Sequence, residues 1–227
     1  MSKELNRREF IGLGTVAAAG LLIGCDTKKR TLDLPPFRDQ APDGPPLKAA
    51  LIGCGGRGSG AAVNFLKAGP NLKITILVDL FADRIASCRK KIKENTGEEI
   101  SDDNCITGFD GFKRAIESDV DIIILATPPH FRPEHFAAAV EARKHVFMEK
   151  PVAVDPVGAR SIITSSKKAE ALGLIVGTGT QRRHQRDYLT TYKQIYEGAI
   201  GDILSANCYW NQAQLWHRKP QKEWTEM

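Results

Sequence analysis

The sequence predicts a doubly wound α/β domain, in which helices cover both faces of a parallel sheet. Between residues 47 and 180, short apolar runs alternate with amphipathic stretches of helix length. Most of these runs are continuously apolar, which is typical of strands buried on both faces. A glycine-rich segment at 53–58 separates the first run from the first amphipathic stretch, where such folds turn from strand into helix.

The individual elements follow from residue patterns along the chain. Strands are indicated where β-branched or apolar residues run together, at residues 47–55, 72–79, 120–129, 145–151 and 174–179. Helices are indicated where apolar residues recur at helical spacing, at residues 60–69, 80–95, 133–145 and 155–173. Pro133 and Pro156 stand near predicted helix starts, where a missing N–H costs nothing.

The composition is that of an ordinary globular protein, with 42% hydrophobic residues, 26% charged residues and a formal net charge of +5. In the segment 82–99, "ADRIASCRKKIKENTGEE", basic residues are interleaved with acidic ones. This mixture predicts a solvated helix face, and no stripe of aromatic and basic residues accompanies it. We therefore expect no nucleic-acid partner.

The first 25 residues have the features of an export signal. In "NRREFIGLGTVAAAGLLIGC", paired arginines precede a short run of small and apolar residues that ends at Cys25. The run is too short to span a bilayer, and the pattern resembles a twin-arginine signal with a lipoprotein cleavage box. We expect export to the periplasm, a membrane contact only through the signal or a lipid on Cys25, and a proline-rich tether at 26–46. The alternative is a small N-terminal anchor helix.

The other cysteines are Cys54, Cys88, Cys105 and Cys208, and they show neither CxxC nor zinc-like spacing. The twin-arginine pathway exports proteins that have already folded in the reducing cytoplasm, so a disulfide framework is not expected. We predict buried, unpaired cysteines and no metal site.

Gly53, Gly55 and Gly58 fit the pattern G-x-G-x-x-G, with a predicted strand before it and a predicted helix after it. In a dinucleotide-binding fold the first glycine makes the tight turn and the second lets the backbone approach the pyrophosphate. The third glycine lets the helix pack closely on the strand. The helix N-terminus adds free N–H groups and the positive end of its dipole. The segment therefore predicts a dinucleotide site.

An acid at the end of the second predicted strand supports this interpretation. Asp79 lies 21 residues beyond Gly58, where a carboxylate accepts a hydrogen bond from the ribose 2′-hydroxyl. The same carboxylate repels a 2′-phosphate, so we expect NAD(H) rather than NADP(H). Arg84, one helical turn further, would soften that preference if it faced the site; the alternative is a solvent-facing helix residue.

Three segments resemble the Gfo/Idh/MocA oxidoreductase family. They are "ALIGCGGRG", "DIIILATPPHFRPEHFAAAVEARKHVFMEKPVA" and "GTGTQRRHQRDYLTTYKQIYEGAIGDI". The resemblance implies a Rossmann domain at 47–180, followed at 181–227 by the start of a second α/β domain. In this family the second domain supports the substrate site and often the oligomer interface, so we expect a homo-oligomer.

The lysine of Glu149-Lys150-Pro151 is the candidate catalytic residue. This segment ends a predicted parallel strand, at the edge where open α/β sheets bind ligands. A lysine there can hold a substrate hydroxyl and stabilise negative charge on its oxygen as hydride leaves the same carbon. The resemblance implies that Lys150 has this role and that Pro151 forms a cis bond. In isolation, the same three residues would indicate a surface turn.

The remaining candidate residues follow the ends of other predicted strands. With the resemblance added, the candidate cofactor contacts are Gly53, Gly55, Arg57, Gly58, Asp79, Thr127, Pro128, His130, Glu149, Lys150, Pro151 and Gln181. Candidate substrate contacts are Arg182, Arg183, His184 and Trp210. Alternatively, Arg182, Arg183 and His184 begin a polar helix, and Trp210 packs into a core. His135 is expected to pack against neighbouring side chains or to cap a helix.

These observations predict an exported NAD(P)-dependent oxidoreductase that acts on a sugar or polyol. Free NAD(H) is scarce outside the cytoplasm, so we expect a cofactor that is tightly bound and recycled within the site. Oxidation followed by elimination, as in NAD-dependent glycosidases, is an alternative chemistry. Two further alternatives are a non-catalytic nucleotide-binding lipoprotein and a cytoplasmic dehydrogenase whose "NRREF" start is accidental.

The chain itself is expected to be a fragment that is inactive alone. Members of the resembled family place a further Asp/His pair, an acid–base candidate, in the second domain. That pair is expected beyond Met227, and its absence is the largest departure from the family pattern.

Overall fold

The computed structural model describes residues 30–38, 40–41, 43–213 and 222. The predicted export signal, including Cys25, lies outside these residues. The described residues before 47 contain neither helix nor strand. The chain divides into two compact units, one formed by Pro35–Leu189 and the other by the residues before and after that range.

The first unit contains a parallel sheet of six strands in the order β3-β2-β1-β4-β5-β6. The strands are β1 Leu47–Ile52, β2 Leu72–Asp79, β3 Cys105–Thr107, β4 Ile122–Leu125, β5 His145–Met148 and β6 Val176–Thr178. Strands β2 and β3 lie on one side of β1, and β4, β5 and β6 lie on its other side. The crevice in which doubly wound folds bind nucleotides lies at this switch, between β1 and β4. The predicted fold class is confirmed.

Helices connect the strands on both faces. They are α1 Gly56–Lys67, α2 Ala82–Thr96, α3 Gly111–Glu117, α4 Arg132–Glu141, α5 Pro156–Ala171 and α6 Arg186–Tyr196, with 3₁₀ turns at Asp102–Asn104 and Gln181–His184. No helix among the described residues has both the length and the apolar character needed to cross a membrane.

Each face of the sheet has its own hydrophobic core, because successive strand residues point to opposite sides. In β1, Ala50 and Ile52 join one core, whereas Ala49 and Leu51 join the other. All four are at most 2% exposed. Burying an isoleucine or leucine contributes roughly 1.5–3 kcal/mol, so a strand that is apolar on both faces is stabilised from both sides.

The sequence did not predict β3 or α3. β3 has only three residues and lies at the sheet edge, too short for a recognisable pattern. α3 packs Phe112, Ala115 and Ile116 into the core of its face. The glycine-rich segment also differs from the prediction, because α1 begins at Gly56 and the glycines themselves form its first turn.

The described cysteines are all free. Cys54 and Cys88 are buried as predicted. The pKa of the Cys54 thiol is raised above its ordinary value, chiefly by the hydrogen bond with the Cys88 thiol and secondly by burial. The prediction is wrong for Cys208, which is exposed because every residue from 201 to 213 is exposed and irregular. A strand forms only by pairing with another, and none pairs with this segment among the described residues. The start of a second sheet stays a prediction.

Candidate active site

The predicted site segments converge at the carboxyl edge of the sheet. Just beyond the strands, four amides donate hydrogen bonds of 2.8–2.9 Å to carbonyls of the neighbouring strand, and they belong to Gly53, Ala126, Glu149 and Gly179. The pairing therefore continues past the strand ends and fixes the loops that follow β1, β4, β5 and β6. Side chains on these loops share one edge of the sheet, where ligands of this fold class bind.

The glycines of the loop have the surroundings that a dinucleotide cradle requires. Gly53 has a φ of +99°, and a Cβ there would lie 2.7 Å from backbone atoms of the loop after β4. A Cβ at Gly58 would lie 1.8 Å from the Gly53 carbonyl oxygen. A Cβ at Gly55 would instead meet only Arg84 Nη1, at 3.8 Å. Two glycines thus allow close packing, and the middle one leaves an open face for a pyrophosphate.

The start of α1 faces the same open space without a side-chain cap. Gly55 is the N-cap residue and no acidic residue lies in the first turn. The first amides of a helix have no acceptor within it, so those of Gly56 to Gly58 are available to phosphate oxygens. The glycine loop and the N-terminus of α1 therefore fit a dinucleotide.

Asp79, the last residue of β2, is fixed beside this loop. Its Oδ2 accepts a hydrogen bond from the Cys54 amide at 2.7 Å, and its Oδ1 accepts one from the Phe81 amide at 3.1 Å. A carboxylate oxygen accepts more than one hydrogen bond, so both oxygens keep capacity for a ribose hydroxyl. The sequence prediction places this acid correctly at the strand end.

Arg84 departs from the solvent-facing alternative. It is half-buried in the first turns of α2, and its guanidinium lies across the open face of Gly55. The reach of its side chain over the loop depends on how α2 packs beside α1, which the local sequence does not specify.

Lys150 lies at the same edge, and its bond to Pro151 is cis, as the resemblance implies. The lysine side chain is exposed and forms no hydrogen bond or ion pair with any residue of the described part of the chain. Its ammonium group is therefore available to a substrate oxygen.

Glu149 has a different environment from its neighbour and is only 3% exposed. Its Oε1 accepts hydrogen bonds from Arg57, at 2.7 Å from Nε and 2.6 Å from Nη2. A Cβ at position 179 would lie 2.4 Å from Oε2, so the carboxylate occupies space that only Gly179 leaves open. Glu149 and Arg57 thus join the glycine loop to the lysine segment, and their contact with a cofactor stays a prediction.

Arg132 is a site residue that the sequence reasoning missed. It is 5% exposed, and its Nη1 donates to the carbonyl of Glu149 at 2.6 Å and to that of Pro151. Its Nη2 donates to the carbonyl of Thr127 at 2.6 Å. Desolvation lowers the pKa of Arg132, and the Glu149 carboxylate opposes that shift. The available signal was an arginine directly before Pro133, at a helix start facing the core.

The loop after β4 brings the next candidates to the edge. The Thr127 hydroxyl is buried and makes no hydrogen bond with the described residues, so it has unused capacity at the site. Pro128 and His130 are exposed. His135 stacks on Phe112 with ring centroids 4.1 Å apart, and desolvation lowers its pKa to about 4. Its predicted packing role is confirmed.

The basic segment after β6 forms the 3₁₀ turn Gln181–His184 and leads directly into α6. All four residues of the turn are exposed, and Arg182 Nε donates to the Tyr188 hydroxyl at 3.0 Å. Because β6 lies beside β5, the turn emerges at the same edge as Lys150. Trp210 belongs to the other unit and is 70% exposed, so it does not pack into a core.

Within the described residues, no group of histidine, cysteine, aspartate or glutamate side chains could hold a metal ion. The polar groups gathered at the edge are backbone amides, the carboxylates of Asp79 and Glu149, the Thr127 hydroxyl and cationic side chains. Such a set suits phosphate and ribose oxygens.

A family model described as an oxidoreductase family with an NAD-binding Rossmann fold matches residues 47–190, more than half of the chain. The chain belongs to the Gfo/Idh/MocA family. Members bind NAD through this domain, and the glycine cradle and Asp79 are the parts of the present structure that fit it.

Curated relatives and solved structures resemble this Gfo/Idh/MocA chain over its nucleotide-binding part. A glycosyl hydrolase family 109 protein of Streptomyces coelicolor is 24% identical over 164 residues, covering 72% of this chain and 34% of the relative. The NADP(+) scyllo-inositol 2-dehydrogenase of Bacillus subtilis is 32% identical over 107 residues, covering 47% of this chain and 28% of the relative.

Among solved structures, the scyllo-inositol dehydrogenase of Lactobacillus casei with bound NAD(H) and scyllo-inositol has a TM-score of 0.57 at 22% identity, covering 69% of this chain and 43% of that one. The myo-inositol 2-dehydrogenase of Lactobacillus plantarum has a TM-score of 0.57 at 25% identity, with coverage of 70% and 43%. The chain spans less than half the length of each of these four proteins.

Proposed function

We propose that the protein is the nucleotide-binding part of an NAD-dependent oxidoreductase that acts on a polyol or sugar. The observation that carries the proposal is the arrangement at the sheet edge. A glycine cradle, the fixed Asp79 carboxylate and the exposed Lys150 lie at the same carboxyl edge of the sheet. The inositol dehydrogenases among the relatives support a polyol as the substrate class.

The nucleotide would be held by groups that need no rearrangement. The first amides of α1 donate to the pyrophosphate across the open face of Gly55. Asp79 accepts from the adenosine ribose while two backbone amides keep its carboxylate in place. The bound nicotinamide supplies the acceptor for a hydride. Because the carboxylate repels a 2′-phosphate, NAD(H) is the preferred cofactor.

Lys150 would orient the substrate and stabilise its reacting oxygen. The ammonium donates a hydrogen bond to the hydroxyl of the carbon that loses hydride, and it offsets the negative charge that develops on that oxygen. It can also take part in the transfer of the hydroxyl proton. Arg132 donates to the backbone carbonyls of Glu149 and Pro151, on both sides of the lysine, so the backbone at Lys150 is fixed before substrate arrives.

The remaining contacts with substrate belong to the same proposal. Arg182, Arg183 and His184 follow β6 next to the lysine segment, where they would meet polar groups of a polyol. Trp210 would supply a stacking surface for a sugar ring. A homo-oligomer is part of this proposal for the full-length protein.

We also propose that the protein is exported and retains its cofactor. The paired arginines and Cys25 support a lipid-anchored periplasmic protein. A dehydrogenase without access to free NAD(H) needs a nucleotide that stays bound and is recycled. Labelling of Cys25 by lipid tests the location, and a native mass spectrum after dialysis tests retention. Apo-protein that needs added NAD+ for each turnover would contradict the recycling.

An elimination reaction is the second candidate function, and the similarity to a glycosyl hydrolase family 109 protein favours it. Transient oxidation of a sugar carbon acidifies the neighbouring C–H, which permits loss of the glycosidic oxygen. Water would then add to the resulting carbon–carbon double bond and the hydride would return to the oxidised carbon, so that the net reaction is hydrolysis and the cofactor ends in its starting state. Incubation with aryl glycosides distinguishes this outcome from dehydrogenation.

The central experiment is turnover by the full-length protein with a panel of inositols and sugars, followed by absorbance of the reduced nicotinamide. We expect Lys150→Met to lower kcat by at least about a hundredfold and to leave the Kd for NAD+ unchanged. Lys168→Met, at an exposed helix position away from the edge, is the control and keeps wild-type rates. Wild-type activity in Lys150→Met would refute the catalytic role of Lys150, whereas a protein that binds NAD+ but turns over no substrate of the panel would favour a nucleotide-binding lipoprotein without catalysis.

A further inference from the structure

The chain between the predicted export signal and the sheet is fixed to the folded protein. The Ala41 amide donates a hydrogen bond to the carbonyl of Ala68, the C-cap residue of α1, at 2.6 Å. The last carbonyls of a helix have no donor within it, and this amide satisfies one of them. Asn71 Nδ2 donates to Asp43 Oδ1 at 2.8 Å and to the Gly44 carbonyl at 3.1 Å. This part of the chain is therefore held at the end of α1.

Further toward the N-terminus, the same stretch contacts α6. The Arg186 guanidinium lies over the Phe37 ring, with Cζ 5.5 Å from the ring centroid, which is a cation–π contact. In the other unit, the Leu32 amide donates to Glu197 Oε1 at 3.3 Å, and the Leu32 carbonyl accepts from Lys193 Nζ. Arg186 begins α6 and Glu197 directly follows it, so both ends of the helix are contacted. The described residues from 32 to 44 are called the strap below.

The helix α6 receives little support from the sheet. None of its residues is buried within the described structure. The backbone pairing with neighbouring strands continues only to Gly179, whose amide donates to the Met148 carbonyl at 2.8 Å. A helix of 11 residues is marginally stable in water when nothing packs against it. The contacts of the strap therefore matter for the position of α6.

The position of α6 in turn determines the position of an arginine in the basic turn before it. Arg182 Nε donates to the Tyr188 hydroxyl at 3.0 Å. The Arg182 guanidinium carbon also lies 5.8 Å from the centroid of the Tyr188 ring. Tyr188 belongs to the first turn of α6, two residues beyond Arg186. A displacement of α6 would therefore move Arg182 with it.

We propose that the strap positions the substrate site, and that Phe37 is the positioning residue through which it fixes α6 and Arg182. The inference rests on the proposed function, in which Arg182 contacts the polyol. Phe37 contacts no reacting atom and acts only through the helix. The glycine loop lies at the other end of α1, about 18 Å from the C-terminus of that 12-residue helix. Nucleotide binding is therefore independent of the contact between Phe37 and α6.

Hydrogen exchange of the 227-residue chain, measured by mass spectrometry, tests the contact without catalysis. In Phe37→Ala the amides of α6 are expected to exchange roughly two- to fivefold faster, the change that corresponds to one exposed cation–π contact. Phe37→Tyr keeps an aromatic face and should exchange like the wild type. Ile163→Ala shortens an exposed apolar side chain of α5 and is the matched control, with unchanged exchange in α6.

Kinetics of the full-length protein test the consequence for substrate. Apparent affinity falls with the fraction of molecules whose α6 is in place, so Phe37→Ala should raise the KM for the polyol roughly two- to fivefold. Replacing residues 32–37 by a flexible Gly-Ser segment of equal length should raise it about tenfold. The kcat and the Kd for NAD+ should change less than about twofold. A merely structural role would lower the amount of active protein, and hence kcat, without changing KM.

Three results would overturn the inference. Unchanged exchange of α6 in Phe37→Ala shows that Phe37 does not hold the helix. Faster exchange with an unchanged KM, or with equally weakened NAD+ binding, shows that the strap does not position the substrate site. Wild-type protein that binds NAD+ but turns over no polyol refutes the proposed function and with it the substrate role of the strap, whereas the exchange data still decide whether Phe37 holds α6.

Discussion

Alanine substitutions at three glycines of one loop test the proposed cradle, because the surroundings of the three positions differ. At Gly58 the new Cβ would lie 1.8 Å from the Gly53 carbonyl oxygen. At Gly55 it would meet only Arg84 Nη1, at 3.8 Å, and at Gly56 nothing within 4 Å. The same methyl group thus enters a closed position, an open ligand-facing position and an unobstructed control position.

Gly58→Ala is expected to destabilise the fold. Cβ atoms essentially never approach other heavy atoms within 3.0 Å, so the start of α1 and Gly53 would have to separate by about 1 Å. The Gly53 amide is bonded to β2 at 2.8 Å, which resists that movement. Overpacking of this kind lowers the free energy of unfolding by about 1–3 kcal/mol. The better helix propensity of alanine offsets about 0.5–1 kcal/mol of this loss. Nucleotide binding is lost with the distorted turn.

Gly55→Ala and Gly56→Ala should separate stability from binding. Gly55→Ala keeps the free energy of unfolding within about 0.5 kcal/mol of wild type, but it weakens NAD+ binding at least about tenfold, since the methyl group occupies the pyrophosphate face. Gly56→Ala leaves NAD+ binding unchanged and gains about 0.5–1 kcal/mol from helix propensity.

Urea unfolding followed by circular dichroism measures the free energy of unfolding, and calorimetry measures the Kd for NAD+. Wild-type stability of Gly58→Ala would show that the loop does not have the described geometry. Undiminished NAD+ affinity of Gly55→Ala would show that the pyrophosphate does not approach this face. Either result refutes the reasoning on which the site assignment depends.

Three further predictions concern single side chains. Arg132→Met leaves three backbone carbonyls without their donor, so we expect the free energy of unfolding in urea to fall by about 3–5 kcal/mol and kcat of the full-length protein to fall as well. Arg132→Lys should recover part of both losses. A fully active Arg132→Met protein would contradict the positioning role. The buried His135 has a pKa lowered to about 4 against 6.5 in the unfolded chain, so its contribution to stability is present above pH 6.5 and falls by roughly 3 kcal/mol as the pH drops to 4. His135→Phe should flatten that part of the pH–stability curve, and an unchanged curve would show that His135 does not titrate in this way. Asp79→Asn removes the charge that repels a 2′-phosphate, so the ratio of NADP+ to NAD+ affinity measured by calorimetry should rise at least about fivefold; a constant ratio would contradict the ribose contact.

Local patterns were sufficient to predict the sheet and the cradle. β2 was predicted with its observed bounds because its run of β-branched residues is long and ends at Asp79. The glycine spacing identified the loop because a Cβ at Gly53 or Gly58 would collide with backbone atoms, whereas Gly55 leaves an open face for a ligand. Where sequence alone determines the backbone, prediction and structure agree.

Residues whose role depends on distant partners were not predictable. Arg132 is buried and contacts a carbonyl 17 positions away, and its place before Pro133 does not identify that partner. The carboxylate of Glu149 is bound to a guanidinium 92 positions earlier, and no local pattern indicates that partner. The orientation of Arg84 over Gly55 follows from the packing of two helices. β3 was missed because a three-residue edge strand has no periodicity to detect.

The pocket that accommodates Glu149 has a consequence for how this sequence can diverge. Its carboxylate fills the space that a missing side chain leaves at position 179, and its charge is balanced from position 57. Loss of Arg57 leaves Glu149 as a lone buried ion, and a side chain at position 179 clashes with the Glu149 carboxylate. Homologous chains should therefore exchange these three amino acids as a set, even though more than 120 residues separate the first from the last.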